Sequence, residues 1–104
     1  MKHLLTAVTL SILTLNAMAA EVEVKQLNKE FSPKSLKIKV GDTINFKNED
    51  GFAHNVFSLS DIKFFDLGSY NKGDAKKVVF NKPGSAEVEC AIYPNMKLMV
   101  EVTR

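Results

Sequence analysis

Cys90 and Met96 stand six positions apart, with Ala91-Ile92-Tyr93-Pro94-Asn95 between them. A turn with a thiolate at one end and a thioether at the other can clamp a soft metal ion, and sulfur donors of these kinds select copper in particular. The imidazole of His54, far upstream and just after a polar turn, suits the same ion. Each residue has an ordinary alternative. A lone cysteine ending an apolar strand is often a small buried hydrophobe, a lone histidine is often plain surface, and Met96 beside Leu98 and Met99 can be core. Zinc is poorly matched, because only Cys90 and His54 are common zinc donors. Cys90 and His54 could also be a nucleophile and base, but no residue can be assigned as orienter or oxyanion donor, so catalysis is not expected.

Export raises the weight of the metal reading. The chain opens Met1-Lys2-His3, runs uncharged and apolar from Leu4 to Leu15, and continues Asn16-Ala17-Met18-Ala19-Ala20. A positive start, a short apolar stretch and small residues at the −3 and −1 positions of a cut before Ala20 form a secretory signal. Twelve apolar residues make about 18 Å of helix, too short for a bilayer core of about 30 Å. The expected division is therefore a signal peptide over residues 1–19 and one domain over residues 20–104. An uncleaved membrane anchor is the alternative. No cysteine sits at the cut, which disfavours a lipoprotein.

The whole chain has 104 residues, 45% hydrophobic and 25% charged, so it is an ordinary globular chain with room for one domain. Fourteen Lys and Arg against twelve Asp and Glu give a formal charge of +2, and no basic block suggests a nucleic-acid arm. A domain this small is marginal, and exported domains of its size often add disulfides or a metal. With a single cysteine, an intrachain disulfide is excluded.

The elements that must position these residues read as strands. Val22, Val24 and Leu27 set against Glu23, Lys25 and Gln26 give a half-buried strand, which Phe31-Ser32-Pro33 breaks. Leu36, Ile38 and Val40, a Gly41-Asp42 turn, then Ile44 and Phe46 read as a β-hairpin. Asn48 to Gly51 is a polar turn, and a short strand centres on Asn55-Val56-Phe57. Ser60 to Asp74 reads as a long connection with one short strand or helical turn. Lys76 to Asn81 is a strand, and Lys82-Pro83-Gly84-Ser85 places Pro and Gly at the centre of a type II turn. Ala86 to Cys90 and Leu98 to Val102 alternate, which puts Val88 and Cys90 on an inner face. Seven or eight short strands and no amphipathic helix after the leader give an all-β sandwich.

Val88-Glu89-Cys90-Ala91-Ile92-Tyr93-Pro94-Asn95-Met96-Lys97 resembles the copper loop of the small cupredoxins, the plastocyanin-like blue copper proteins. Phe31-Ser32-Pro33, Val40-Gly41-Asp42-Thr43 with Phe46-Lys47-Asn48, and Ala53-His54-Asn55-Val56 are similar, in order, to that family's other recurring stretches. The resemblance implies a Greek-key β-sandwich and one copper per chain, with His54, Cys90 and Met96 as ligands. It also implies an electron carrier serving a protein redox partner. The export signal places that carrier in the periplasm, and a monomer is expected. The charge balance argues against nucleic acid, and the lack of an amphipathic stripe after residue 20 argues against membrane association beyond export.

At position 93 the pattern departs, because the family places its second histidine three residues after the cysteine and this chain has Tyr93. Either Tyr93 ligates through its oxygen, which needs a strong metal field to form a phenolate, or it swings away and leaves three donors that favour Cu(I), or its ring plugs a metal-free pocket. The corresponding functions are an electron carrier with an altered site, a protein that stores or delivers Cu(I), and a metal-free domain that binds other proteins.

Overall fold

The computed structural model describes residues 18–104, so the expected signal peptide over residues 1–19 lies, but for its last two residues, outside the described residues. The chain forms β1 (Glu21–Leu27), β2 (Glu30–Ser32), β3 (Ser35–Lys39), β4 (Thr43–Asn48), β5 (His54–Ser60), β6 (Lys63–Tyr70), β7 (Ala75–Val79), β8 (Gly84–Glu89) and β9 (Lys97–Thr103). A four-stranded sheet runs β2-β1-β4-β7 and a five-stranded sheet runs β3-β9-β8-β5-β6. No helix occurs among the described residues. The all-β sandwich expected from strand periodicity is thus the observed architecture, with nine strands.

Period-2 alternation explains which residues enter the core. Val24 of β1, Ile44 and Phe46 of β4, Val56 of β5, Ala86 and Val88 of β8, and Leu98 and Val100 of β9 are all fully buried. Phe46 sits at the centre, with ring centroids 6.4 Å from Phe31 and 6.1 Å from Phe65. Burying a phenylalanine side chain of this kind contributes about 1.5–3 kcal/mol.

Three local expectations are corrected. The hairpin over residues 36–47 does not form. β3 pairs in parallel with β9 in one sheet, while β4 lies between β1 and β7 in the other. The Val40–Asp42 link therefore crosses between sheets, which lets both apolar faces, Ile38 and Ile44 with Phe46, point at the same core. Gly41, at φ 96°, permits the sharp change of direction.

The connection over residues 60–74 contains β6, an eight-residue strand antiparallel to β5. A bulge opposite Asn55–Phe57 and Gly68 at φ 74° disrupt its alternation, which hides the strand from a periodicity count. Finally, strict alternation from Val22 and Val24 places Gln26 inside and leaves Leu27 exposed. Neither the amide oxygen nor the nitrogen of Gln26 has a hydrogen-bond partner among the described residues.

Candidate metal centre

Strand direction brings the three candidate ligands together. β5 and β6 are antiparallel, as are β5 and β8, and β8 and β9. His54 opens β5, Cys90 directly follows β8, and Met96 directly precedes β9, so all three lie at one end of the five-stranded sheet. The register Glu89↔Lys97 sets Cys90 and Met96 on the two arms of the loop they bound. His54 is 0% exposed, and Cys90 and Met96 are each 1% exposed.

The loop over residues 90–96 is tied down on both sides. Met96 N–H donates to Tyr93 O at 2.9 Å, closing its turn. Ala91 N–H donates to Asn55 Oδ1 at 2.8 Å, fastening the loop to β5. At the foot of the loop, Lys97 Nζ pairs with Glu89 Oε1 at 3.2 Å on the surface.

His54 is oriented by a carboxylate. Its Nε2 lies 2.7 Å from Asp50 Oδ2. Asp50 Oδ1 also accepts the N–H of Asn28 at 2.7 Å, and Oδ2 accepts that of Lys29 at 3.0 Å. Those two amides converge because Asn28 and Lys29, the turn between β1 and β2, both have positive φ, 57° and 60°. Burial by itself raises the Asp50 carboxyl pKa. The hydrogen bond from His54 and the amides of Lys29 and Asn28, helped by charge on His54, outweigh it and hold the group below the usual carboxylate range.

An ionised carboxylate only accepts, so His54 Nε2 carries the proton and Nδ1 presents a lone pair in the neutral ring. Nδ1 faces Cys90 Sγ at 3.8 Å. First-row metal bonds to nitrogen and sulfur are about 2.0 and 2.3 Å. Their sum exceeds this separation, so one ion can touch both atoms without moving either residue.

Asn48, at the end of β4, shapes the loop that delivers Asp50 and His54. Its Nδ2 donates to Phe52 O at 2.9 Å and Tyr70 O at 3.0 Å, while its Oδ1 accepts Asp50 N–H at 2.8 Å. Burial, and then charge on Cys90, push the Tyr70 hydroxyl above its ordinary value, so it remains a neutral donor to Phe46 O at 3.0 Å.

Tyr93 is half-buried within a cluster of three rings. Its centroid lies 5.2 Å from that of His54 and 5.4 Å from that of Phe52, and Phe52 lies 5.3 Å from His54. Lys29 Nζ caps the cluster, 5.7 Å from the Phe52 centroid and 5.3 Å from that of Tyr93. Among the described residues no three His, Cys, Asp or Glu side chains gather into a group that could hold an ion. The candidate donors His54, Cys90 and Met96 are one nitrogen and two sulfurs, a soft set of the kind that suits copper.

The sequence motifs do not single out Asp50, Lys29 or Phe52, and they include Asn48 only as part of Phe46-Lys47-Asn48, with no role at the site; Asn48 and Asp50 read as a polar turn. A signal is present for two of them. Asn48 and Asp50 are turn-formers whose side chains bond nearby backbone, and Asp50 precedes the lone histidine of the domain by four residues.

Comparison with known proteins points to a copper-binding family. The family model of copper-binding proteins of the plastocyanin/azurin family matches residues 17–103. The methylamine utilization protein MauL of Methylorubrum extorquens is 31% identical over 97 residues, 92% of this chain and 85% of that protein. A purple cupredoxin from Nitrosopumilus maritimus superposes with a TM-score of 0.71 at 26% identity, covering 79% of this chain and 99% of its own. A Cu-containing nitrite reductase from Thermus scotoductus gives 0.75 at 27% identity over 95% of this chain, which spans only 25% of that larger enzyme.

Proposed function

The chain belongs to the plastocyanin/azurin family of copper-binding proteins, and from that premise we propose that it is an exported one-copper electron carrier with an altered site. The observation that carries the reading is the Nδ1 of His54, turned toward Cys90 Sγ at 3.8 Å while Nε2 is held by Asp50 at 2.7 Å. His54, Cys90 and Met96 would hold the ion, with Tyr93 packed against His54 where the family pattern has its second histidine. Copper, when bound, supplies a centre that cycles between Cu(I) and Cu(II).

This chain's own residues hold the donors in one arrangement. Asp50 keeps the proton of His54 on Nε2, and the bonds to Ala91 and Met96 fix the loop. Phe52 and Tyr93 keep water from the imidazole, and Ile92, exposed beside them, adds an apolar rim on which a protein partner can dock. The domain is residues 20–104, released into the periplasm by removal of residues 1–19, monomeric, and not itself an enzyme.

One observation favours a second reading. One nitrogen and two sulfurs form a softer set than the family's two histidines, and that set holds Cu(I) better than Cu(II). Storage or delivery of Cu(I) follows if the ion never leaves that state.

Titration of the purified exported protein with Cu(I) under anaerobic conditions, followed by oxidation, tests both. One copper per chain with an intense thiolate-to-copper absorption band after oxidation is the expected result. The same stoichiometry without the band supports Cu(I) storage. Absence of binding, recovered by Tyr93→His, would show a fold that has outlived its metal site.

A further inference from the structure

Ala20, the first residue after the expected cut, has its backbone anchored at both polar atoms. Its carbonyl accepts Thr43 N–H at 2.9 Å, which extends the parallel pairing of β1 with β4 by one residue. Its nitrogen donates to Asp42 Oδ1 at 2.8 Å. Asp42 is 8% exposed and held in place, because its Oδ2 accepts Lys39 N–H at 2.9 Å and its own carbonyl accepts Phe80 N–H at 3.0 Å. The amides of Lys39 and then Ala20 hold this carboxyl below the ordinary range, against burial and with help from the charge of Lys39. In the uncut chain, Ala20 offers this carboxylate only a neutral amide.

We propose that the chain is cut between Ala19 and Ala20 and that the new α-ammonium of Ala20 becomes the counter-ion of Asp42, so that processing strengthens the fold it releases. This rests on the export reading above. The cut adds water across the peptide bond under catalysis by a signal peptidase. The oxygen stays on Ala19 as a carboxylate, and the nitrogen stays on Ala20. It is protonated at neutral pH, since an ordinary α-amine has a pKa of about 7.7–8.0.

The amide's bond to Asp42 already has an ionised acceptor; the cut charges the donor too and adds the attraction of an ion pair, about 0.2–1 kcal/mol for a pair near the surface. Only a cut at this bond supplies the ion pair. Cutting one bond earlier leaves Ala20 an amide, and cutting one bond later removes the donor. The charged groups around the new terminus are Asp42, Lys37 and Lys39, which line the same groove as Ala20, and Glu21, which is already paired with Lys77 at 3.1 Å.

The test begins with the full chain, expressed with its own leader and recovered from the periplasm, and measures the mass of its N-terminus. A mature chain beginning at Ala20 is expected; any other start, or a retained leader, overturns the proposed cut, and absence of the chain from the periplasmic fraction overturns the export reading itself. The second measurement concerns the ion pair alone. The folding constant of the chain beginning at Ala20 is compared, by urea unfolding at pH 7, with that of a chain begun at Met18. The comparison is repeated in Asp42→Asn.

The expected result is that the Ala20 chain is favoured by about 1.5- to 5-fold, with the advantage lost in Asp42→Asn. The α-amine should titrate above its reference value, as followed by NMR. The folded-state pKa of the amine is raised, so its contribution is complete below the unfolded value and disappears as pH rises through the folded one. Equal folding constants, or an α-amine with an ordinary pKa, would overturn the ion pair even where the cut is found at Ala20.

Discussion

Asp50→Asn isolates the carboxylate behind the candidate ligand while preserving shape. Asp50 accepts three hydrogen bonds, from Asn28 N–H at 2.7 Å, Lys29 N–H at 3.0 Å and His54 Nε2 at 2.7 Å. An asparagine has one oxygen and one NH2 group, so it cannot accept all three. With its nitrogen in the place of Oδ1, the bond from Asn28 is lost and the other two lose their ionic character. With its nitrogen in the place of Oδ2, the bond from Lys29 is lost and His54 must move its proton to Nδ1 to accept.

Bonds to charged groups contribute about 1.5–3 kcal/mol and neutral ones about 1. The expected cost is therefore about 2–3 kcal/mol, or roughly 10–20 °C in melting temperature for a domain of this size. Urea unfolding of the metal-free protein reads the first effect, and ring 15N shifts of His54 read the second. The wild-type ring should show its proton on Nε2, and the variant a mixture of tautomers with weakened copper binding. A variant within about 0.5 kcal/mol of wild type, with the tautomer unchanged, would refute the assignment of Asp50 as the group that orients His54.

Four further outcomes are expected. Tyr93→His should shift copper preference toward Cu(II) and lower the reduction potential, read by voltammetry and by the strength of the visible band; an unchanged potential would show that position 93 does not reach the ion. Gln26→Leu should raise stability by about 1–2 kcal/mol in urea, because it removes a buried amide without partners; a loss would mean that the amide is satisfied in solution. Phe46→Ala should cost about 3–5 kcal/mol by the same assay, since the ring is fully buried between Phe31 and Phe65. Asp42 and Asp50 both titrate below the ordinary carboxylate range, so their contribution is complete above about pH 4 and lost as pH falls through their folded values. The unfolding midpoint should hold from pH 7 to about 5 and then fall, and the fall should be blunted in Asp42→Asn.

The architecture was legible because burial imposes a two-residue period on exposed or half-exposed strands. Leu98, Val100 and Val102 announced β9, and Ala86, Val88 and Cys90 announced β8 and its continuation. What the period does not contain is the partner of each strand. Leu36–Ile38 and Ile44–Phe46 look the same whether they pair with each other or face each other across a core, and here they face each other. β6 was hidden for a different reason, since its bulge shifts the alternation where Gly68 turns.

At the site, Cys90, Met96 and His54 were visible as residue types. Asp50 was not, because its role depends on three donors from two separate segments, and two of those donors are backbone amides that any residue supplies. The left-handed turn of Asn28 and Lys29 that aims them is a property of conformation, and neither side chain type demands it.

That arrangement bears on what Tyr93 can be expected to change. Each candidate ligand is fixed by groups that do not include Tyr93's hydroxyl: His54 by Asp50, the loop's first arm by Asn55, and its second by the β8–β9 register and the Tyr93 carbonyl. The tyrosine contributes its ring to the packing over His54 and its backbone to the turn. A backbone bond survives any substitution that keeps the turn, and a histidine ring can occupy much of the same wall. Exchange at position 93 therefore alters the donor chemistry while leaving the frame that positions His54, Cys90 and Met96. A frame fixed before an ion arrives also limits how far the donors can relax between oxidation states. The difference in potential between the wild-type chain and the Tyr93→His variant thus reports chiefly the donor, with little contribution from rearrangement of the fold.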